Sequence, residues 1–177
     1  FRATGWREAL AKGDGGNIFV SDNPARIINA MTRAPQEIIV IDDWQYILAL
    51  MFMASRSQKG FEKFTNIGGA GFDICAAASR LAPEKRVYIL AHTQTDDLGV
   101  TRIKTLGRLL DEKIVVEGMF TTVLRTVVQD GHYFFSTQNS GADTVKSPMG
   151  MFEDKLIEND LAAVDKTICE YYGIAQE

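Results

Sequence analysis

The sequence is poor in the residues that hold disulfide-rich or zinc-dependent folds together. It contains two cysteines, Cys75 and Cys169, and two histidines, His92 and His132, among 177 residues. The two cysteines alone make neither a disulfide framework nor a metal quartet, and the two histidines are far apart in sequence, so we expect no metal site built on them. Since both cysteines fall inside predicted helices, we expect them to stay reduced, as in the cytosol.

Positive charge and long apolar runs are also scarce. The chain has 19 Lys and Arg against 23 Asp and Glu, a formal net charge of −4. Nucleic-acid binding through a generally basic surface is excluded, so any such site must be local. No apolar stretch approaches the roughly 20 residues of a membrane-spanning helix. The length fits one domain with a sizeable core.

Apolar periodicity predicts alternating strands and helices. In order, we expect an irregular segment over 1–16, a strand at 17–20, a helix at about 24–33, a buried strand at 37–41, a mostly helical stretch over 46–82 and a second buried strand at 86–91. A hairpin with strands near 120–128 and 132–137, turning at Asp130-Gly131, and a helix ending at Gly173 follow. Asp22 or Asn23 would cap the helix at 24–33, and Pro24 would fill its first position. The glycines at 68, 69 and 71 weaken the helix prediction there and suggest a break. This order predicts an α/β domain with a mainly parallel sheet flanked by helices and a C-terminal antiparallel hairpin.

Two carboxylates directly follow the first buried strand, in the stretch QEIIVIDDWQ. Asp42 and Asp43 have the form of a Walker B element, whose Asp holds the Mg²⁺ of a bound nucleotide. The matching phosphate loop, G-x-x-x-x-G-K-[ST], does not occur. "GGAGFDIC" has no Lys after its glycines, and Lys104 in "GVTRIKTLG" has no Gly before it. The alternative is that the two acids simply end a strand and begin a turn.

Several segments, taken together, resemble phage-encoded RecA-like ATPases, a group of AAA-type NTPases associated with DNA recombination and single-strand annealing. The segments are IIVIDDWQYILA, VYILAHTQ, IKTLGRLLDEKI, FTTVLR, YFFSTQNSGADTVKSPMGMFE and IENDLAAVDKTICEYY. The resemblance covers most of residues 17–173 and implies a RecA-like P-loop NTPase core over 17–177. It also implies ATP and Mg²⁺ as ligands, a homo-oligomer, and action in the bacterial host cytoplasm. Members begin with a strand, a phosphate loop and a helix, which we expect upstream of Phe1.

The resemblance assigns roles to residues past the two buried strands. Asp42 would hold Mg²⁺ directly or through water, and Asp43 would orient the attacking water. A polar residue among His92, Thr93 and Gln94 would sense the γ-phosphate and couple hydrolysis to DNA binding. The alternative is that these three residues form a capping cluster.

Cations in two later segments are the remaining candidates. In RecA-like proteins the region corresponding to 95–112 contributes to single-stranded DNA binding, which here would use Arg102, Lys104 and Arg108. The stretch IKTLGRLLDEK, residues 103–113, could equally be an exposed helix with a solvated basic face. Lys146, in a loop after the hairpin, is a candidate finger that a neighbouring subunit would aim at a γ-phosphate, although most surface lysines have no such role. Arg125 is expected to close a strand edge or pair with an acid.

Two functions therefore follow from the sequence. The first is Mg²⁺-dependent ATP hydrolysis coupled to single-stranded DNA or to a phage recombination partner. The second is a non-catalytic domain that keeps the same sheet as a protein- or DNA-binding module.

Overall fold

The computed structural model describes residues 16–106 and 109–175, without the side chains of residues 111 and 112. The predicted irregular segment therefore lies almost wholly outside the described residues, as does Arg108. The description begins with helix α1 (Pro24–Arg33), where Asn23 caps the first turn by accepting a hydrogen bond from the N–H of Arg26 at 3.1 Å. Pro24 occupies the first helical position, as predicted.

A parallel strand pair and two long helices follow. Strand β1 (Ile38–Ile41) precedes α2 (Trp44–Ala54) and α3 (Glu62–Ala78), and β2 (Arg86–Ile89) then lies parallel to β1. The register places Ile38 opposite Arg86 and Ile41 opposite Ile89. Both strands were predicted from their apolar runs, but the predicted burial of β1 on both faces is wrong, because Ile38 and Val40 are 45% and 48% exposed.

The main core lies between the three helices and this strand pair. Its buried members are Met31, Ile41, Trp44, Ile47, Leu48, Ile67, Ile74, Cys75, Leu110 and Val116. The glycines of α3 make this packing possible. A Cβ built on Gly71 would lie 2.8 Å from Leu48 Cδ2 and 2.9 Å from Trp44 Cζ2. The expected break at these glycines is wrong, because α3 runs through them and uses them for close helix contact.

A short antiparallel ribbon leads away from β2. It consists of β3 (Thr93–Thr95) and β4 (Thr101–Ile103), and is followed by a π-helical turn (Leu109–Lys113) and a 3₁₀ turn (Val116–Met119). The alternative of an exposed helix over 103–113 is wrong for its start, because Ile103 ends β4 and residues 104–106 are irregular. The alternation Thr-Gln-Thr and Thr-Arg-Ile suits a two-stranded ribbon with one polar face.

The last part of the chain is an antiparallel sheet and a helix. Strands β5 (Arg125–Gln129) and β6 (His132–Ser136) form the predicted hairpin, with positive φ at Asp130 and Gly131 in the turn. Strand β7 (Leu156–Glu158) adds to β6, which the sequence did not predict. Helix α4 (Leu161–Tyr172) is capped by Asp160 and ends at Gly173, whose φ is +66°.

The predicted RecA-like core with a mainly parallel sheet is wrong. In the described part of the chain the strands form three separate short sheets, β1–β2, β3–β4 and β5–β6–β7, and only the first is parallel. The apolar run of a strand does not tell which strand lies beside it, so element order alone predicted too large a sheet.

Two predicted boundaries also differ. Residues 17–20 are irregular, and Ile18, Phe19 and Val20 are each more than 40% exposed. An apolar triplet becomes a strand only when another strand accepts its hydrogen bonds, and no described strand lies beside it. The hairpin begins at Arg125 rather than near 120. No helix within the described residues is both long and apolar enough to cross a membrane.

Candidate functional site at the carboxyl ends of the parallel strands

The two acids predicted to act at a nucleotide site lie where β1 ends and α2 begins. Asp43 adopts the left-handed conformation, with φ +55°, and both carboxylates are exposed. The N–H of the next residue, Trp44, donates to the carbonyl of Leu90 at 3.0 Å. This bond ties the turn after β1 to the end of β2, so Asp42 and Asp43 lie at the shared carboxyl edge of the pair, where open α/β sheets bind ligands.

His92 joins the acids from the neighbouring strand. Its Nε2 lies 3.4 Å from Asp43 Oδ1, and its ring meets the ring of Tyr46 edge-on with centroids 6.0 Å apart. The His92 side chain is 62% exposed and that of Asp43 is 56% exposed. The structure therefore brings together two residues, 49 positions apart, that the sequence analysis had assigned to one site.

Gln45 is a member of this site that the sequence analysis missed. Its Oε1 accepts a hydrogen bond from the N–H of His92 at 3.1 Å, and its Nε2 lies 3.5 Å from Asp43 Oδ1. Gln45 is only 7% exposed. Gln45 is the lone amide in the otherwise apolar helix WQYILALMFMA. Because a buried amide needs polar partners, this position indicated that polar groups lie next to the helix start.

Thr93 and Gln94 belong to strand β3 of the ribbon, which leads away from the carboxyl edge of the parallel pair. Gln94 is the register partner of Arg102, so these two side chains share one face of the ribbon. Thr95 Oγ1 and Thr101 Oγ1 lie 3.1 Å apart on the opposite face. Within the described residues, no contact joins Thr93 or Gln94 to Asp43. Of the three predicted sensor residues, His92 is the one placed beside an acid.

The predicted DNA-binding cations start on the same ribbon. Arg102 and Lys104 are exposed, and the N–H of Lys104 donates to the carbonyl of His92 at 2.8 Å. The ribbon therefore connects the basic residues to the strand-end site through backbone hydrogen bonds. The third cation, Arg108, lies outside the described residues.

Arg125 and Lys146 occupy different environments. Arg125 Nη1 lies 3.5 Å from Asp143 Oδ2, which confirms the expectation that Arg125 pairs with an acid. Lys146 exchanges two backbone hydrogen bonds with Val123, at 2.8 and 3.0 Å. In the described part of the chain no hydrogen bond or ion pair brings Lys146 to Asp42, Asp43 or His92. Its action on a neighbouring subunit stays a prediction.

A cleft of about 920 Å³ opens beside the site. Its lining includes residues 86–93, residues 120–127 and, from helix α4, Leu161, Val164, Ile168 and Tyr172. The volume lies in the range of small-molecule sites. His92 and Thr93 line it, so the polar strand ends have access to a space that could hold a ligand.

A buried ion pair marks the other end of β2. The Arg86 guanidinium donates to both carboxylate oxygens of Asp165 on α4, at 2.8 and 3.2 Å, and the hydroxyl of Tyr88 donates to the same carboxylate. The hydrogen bond to Asp165 raises the pKa of Arg86, and burial together with the bond to Asp165 raises the pKa of Tyr88. These groups fasten α4 to the sheet, and they lie at the amino end of β2, opposite to the strand-end acids.

The side chains at the strand ends supply only some of the oxygen ligands that Mg²⁺ needs. No group of three or more His, Cys, Asp or Glu side chains in residues 16–106 and 109–175 is placed to hold a metal ion. Mg²⁺ is commonly bound by one or two carboxylates, with waters and substrate phosphates completing its coordination. The exposed carboxylate of Asp42 makes no hydrogen bond or ion pair to another described residue, so it fits that limited role.

Comparisons with known proteins returned no relative. No family model, no curated protein and no solved structure matches this chain.

Proposed function

We propose that this chain supplies the metal-binding and water-orienting side chains of a phage recombination-associated ATPase, which hydrolyses ATP with Mg²⁺. The observation that carries the proposal is the meeting of Asp43 and His92, 3.4 Å apart, with Asp42 beside them at the carboxyl edge of a parallel strand pair. The resemblance of the segments around these residues to such ATPases supports the same assignment.

Each side chain has a role that its position permits. Asp42, exposed and without a described partner, would hold the metal. A metal held there would supply positive charge to offset the negative charge that develops on the phosphate. Asp43 would orient the attacking water, and His92 would respond to the γ-phosphate through its contact with Asp43. Because the sequence holds no phosphate loop, these residues form the metal and water side of the site and not the phosphate cradle.

The proposed partners follow from the ribbon. Arg102 and Lys104, exposed and linked by backbone to His92, would contact the phosphates of single-stranded DNA. Assembly into a homo-oligomer would let Lys146 of one subunit reach the site of the next. In such an assembly, DNA binding on the ribbon would be transmitted to the strand-end site.

The second candidate function is a non-catalytic module that binds DNA or protein. Two observations favour it: the sequence has no phosphate loop, and the exposed cations of the ribbon need no nucleotide to act. In that case Asp42 would be dispensable and Arg102 and Lys104 would carry the function.

An Asp42→Asn variant separates the two. If Asp42 holds the metal, the variant should lose at least about 100-fold in Mg²⁺-dependent ATP turnover, since the metal neutralises charge in the transition state. Asp73→Asn, an exposed acid on α3, is the matched control and should retain full activity. Turnover that does not depend on Mg²⁺, or that is unchanged in Asp42→Asn, would contradict the ATPase assignment.

The second candidate function, a non-catalytic module that binds DNA, is tested with the same protein preparations. Binding of labelled oligothymidylate is measured at several salt concentrations for the wild type and for Arg102→Ala with Lys104→Ala. If the ribbon binds DNA, the double variant should bind more weakly and show a smaller salt dependence. Equal affinity in both proteins would show that these cations do not contact DNA.

A further inference from the structure

We infer that Gln45 is a positioning residue that holds His92 and Asp43 in their mutual arrangement. The inference rests on the proposed function, because it concerns the geometry of that same site. It begins from a contact cycle: Gln45 Oε1 to the N–H of His92 at 3.1 Å, Gln45 Nε2 to Asp43 Oδ1 at 3.5 Å, and Asp43 Oδ1 to His92 Nε2 at 3.4 Å.

The burial of Gln45 contrasts with the exposure of the groups it joins. Gln45 is 7% exposed, whereas the side chains of His92 and Asp43 are more than half exposed. An exposed side chain keeps several rotamers unless something fixed holds it. A buried amide that lacks hydrogen-bonding partners costs free energy. Gln45 therefore has one stable placement, in which its Oε1 accepts from His92 at the end of β2 and its Nε2 faces Asp43 at the end of β1.

The backbone explains why this position matters. The hydrogen bond from the N–H of Trp44 to the carbonyl of Leu90 joins the two strand ends at residue 90, two positions before His92. At His92 the chain turns into the β3–β4 ribbon, and within the described residues its N–H is held by Gln45. Without the amide, both the start of the ribbon and the Asp43 carboxylate lose a fixed neighbour.

The two bonds of Gln45 can be removed separately. Gln45→Met keeps the length and burial of the side chain and removes both polar contacts. Gln45→Glu keeps an oxygen that can accept from the N–H of His92 but replaces the donor facing Asp43 with a carboxylate oxygen. Gln129→Met, an exposed position on β5, is the control for the substitution itself.

The experiment measures the site without requiring catalysis. Mn²⁺ replaces Mg²⁺, and the imidazole signals of the full chain are followed by NMR. The chain has only two histidines, so His132 on the β5–β6 hairpin serves as an internal reference. Mn²⁺ held by Asp42 should broaden the His92 ring signal and leave that of His132 sharp, and Asp42→Asn should abolish the difference.

Gln45→Met should leave Mn²⁺ affinity unchanged, because Asp42 remains, but reduce the broadening of the His92 ring as the ring loses its fixed position. Hydrogen exchange at the N–H of His92 should rise about tenfold, the size expected from losing one hydrogen bond. Exchange at the N–H of Leu90, bonded to the carbonyl of Ile41 at 2.8 Å, should stay unchanged and exclude general loosening of the sheet. Gln45→Glu should keep the His92 N–H protected while altering the broadening.

The outcomes separate the two claims. If Mn²⁺ broadens His92 through Asp42 but Gln45→Met matches the wild type in both broadening and exchange, Gln45 is not a positioning residue and the metal assignment stands. If Mn²⁺ does not distinguish His92 from His132 in the wild type, the metal assignment fails, and hydrogen exchange at the N–H of His92 in Gln45→Met then decides the positioning role by itself.

Discussion

The two parts of this molecule are stabilised in different ways. The part from α1 to the 3₁₀ turn is built around one apolar cluster, in which Trp44 and Leu48 are fully buried against α3. The part from β5 to α4 buries several polar side chains, among them Thr137, Asp143 and Asp165. A substitution that changes the volume of a buried apolar side chain destabilises a packed core, whereas a substitution that removes a hydrogen-bonding partner destabilises a buried polar network. The same kind of substitution should therefore act differently in the two parts.

The polar part is held by side chains that bond to loop backbone. Thr137 Oγ1 donates to the carbonyl of Asp154 at 2.6 Å. The carboxylate of Asp143 accepts from the hydroxyl of Ser140 at 2.7 Å and from the N–H of Val145 at 3.2 Å. These contacts order a stretch between β6 and β7 that contains few apolar anchors, so the loop is specified by hydrogen bonds.

Asp165→Ala should have the largest effect, because it breaks the link between the two parts. The substitution removes the bidentate partner of Arg86, which is 8% exposed and keeps an ion pair with Glu37 at 3.3 Å and a hydrogen bond to the carbonyl of Glu84. Because Glu37 still compensates part of the charge, the cost should lie at the lower end of the about 3–5 kcal/mol for breaking a buried ion pair. Urea unfolding of the variant should show a correspondingly lower free energy of unfolding. Lys166→Ala, the next residue along α4, removes only an exposed pair with Glu170 at 3.8 Å and should cost under about 0.5 kcal/mol. Equal stability of the two variants would show that Arg86 does not fasten α4.

Gly71→Ala should have the next largest effect and tests the apolar part. Its methyl group would lie 2.8 Å from Leu48 and 2.9 Å from Trp44, both fully buried and unable to move away cheaply. Overpacking of this kind costs about 1–3 kcal/mol.

Gly69→Ala provides the matched control on the same helix. No atom lies within 4 Å of its added Cβ, so the variant should gain up to about 1 kcal/mol from helix propensity alone. The two variants should thus shift the thermal midpoint in opposite directions. A Gly71→Ala protein as stable as Gly69→Ala would mean that α3 and α2 are not in close contact.

Helix ends and the hairpin turn could be predicted from the sequence, because the residues that determine them lie at the feature itself. Asn23 and Pro24 gave the start of α1, Asp130-Gly131 gave the hairpin turn, and Gly173 gave the end of α4. The arrangement of strands could not be predicted, because pairing depends on contacts between distant segments. Strand β7, three residues long, carries no periodicity of its own and forms by adding to β6.

The candidate site was predictable in the same limited sense. Polar residues just past buried strands pointed to Asp42, Asp43 and His92, and the parallel pairing of β1 with β2 places Asp43 beside His92. Gln45 could not be assigned because its role depends on the distance between two strand ends. The RecA-like sheet was wrong for the same reason, since neighbouring strands were inferred from chain order.

Asp143→Asn should have the smallest effect at neutral pH and tests the polar part by its pH dependence. Burial alone would raise the pKa of Asp143, but hydrogen bonds from Ser140 and Val145, with Arg125 nearby, hold it below its ordinary value of 3.8. A carboxyl whose pKa is lower in the folded protein stabilises the fold above that ordinary value, and this stabilisation is lost as the pH falls through the folded pKa. Asp143→Asn should therefore cost about 1 kcal/mol at pH 7 and progressively less below pH 3.8, as the wild type loses its advantage. Urea unfolding of both proteins from pH 7 down into this acid range measures the difference. A difference that does not change with pH would mean that the charge of Asp143 does not stabilise the loop.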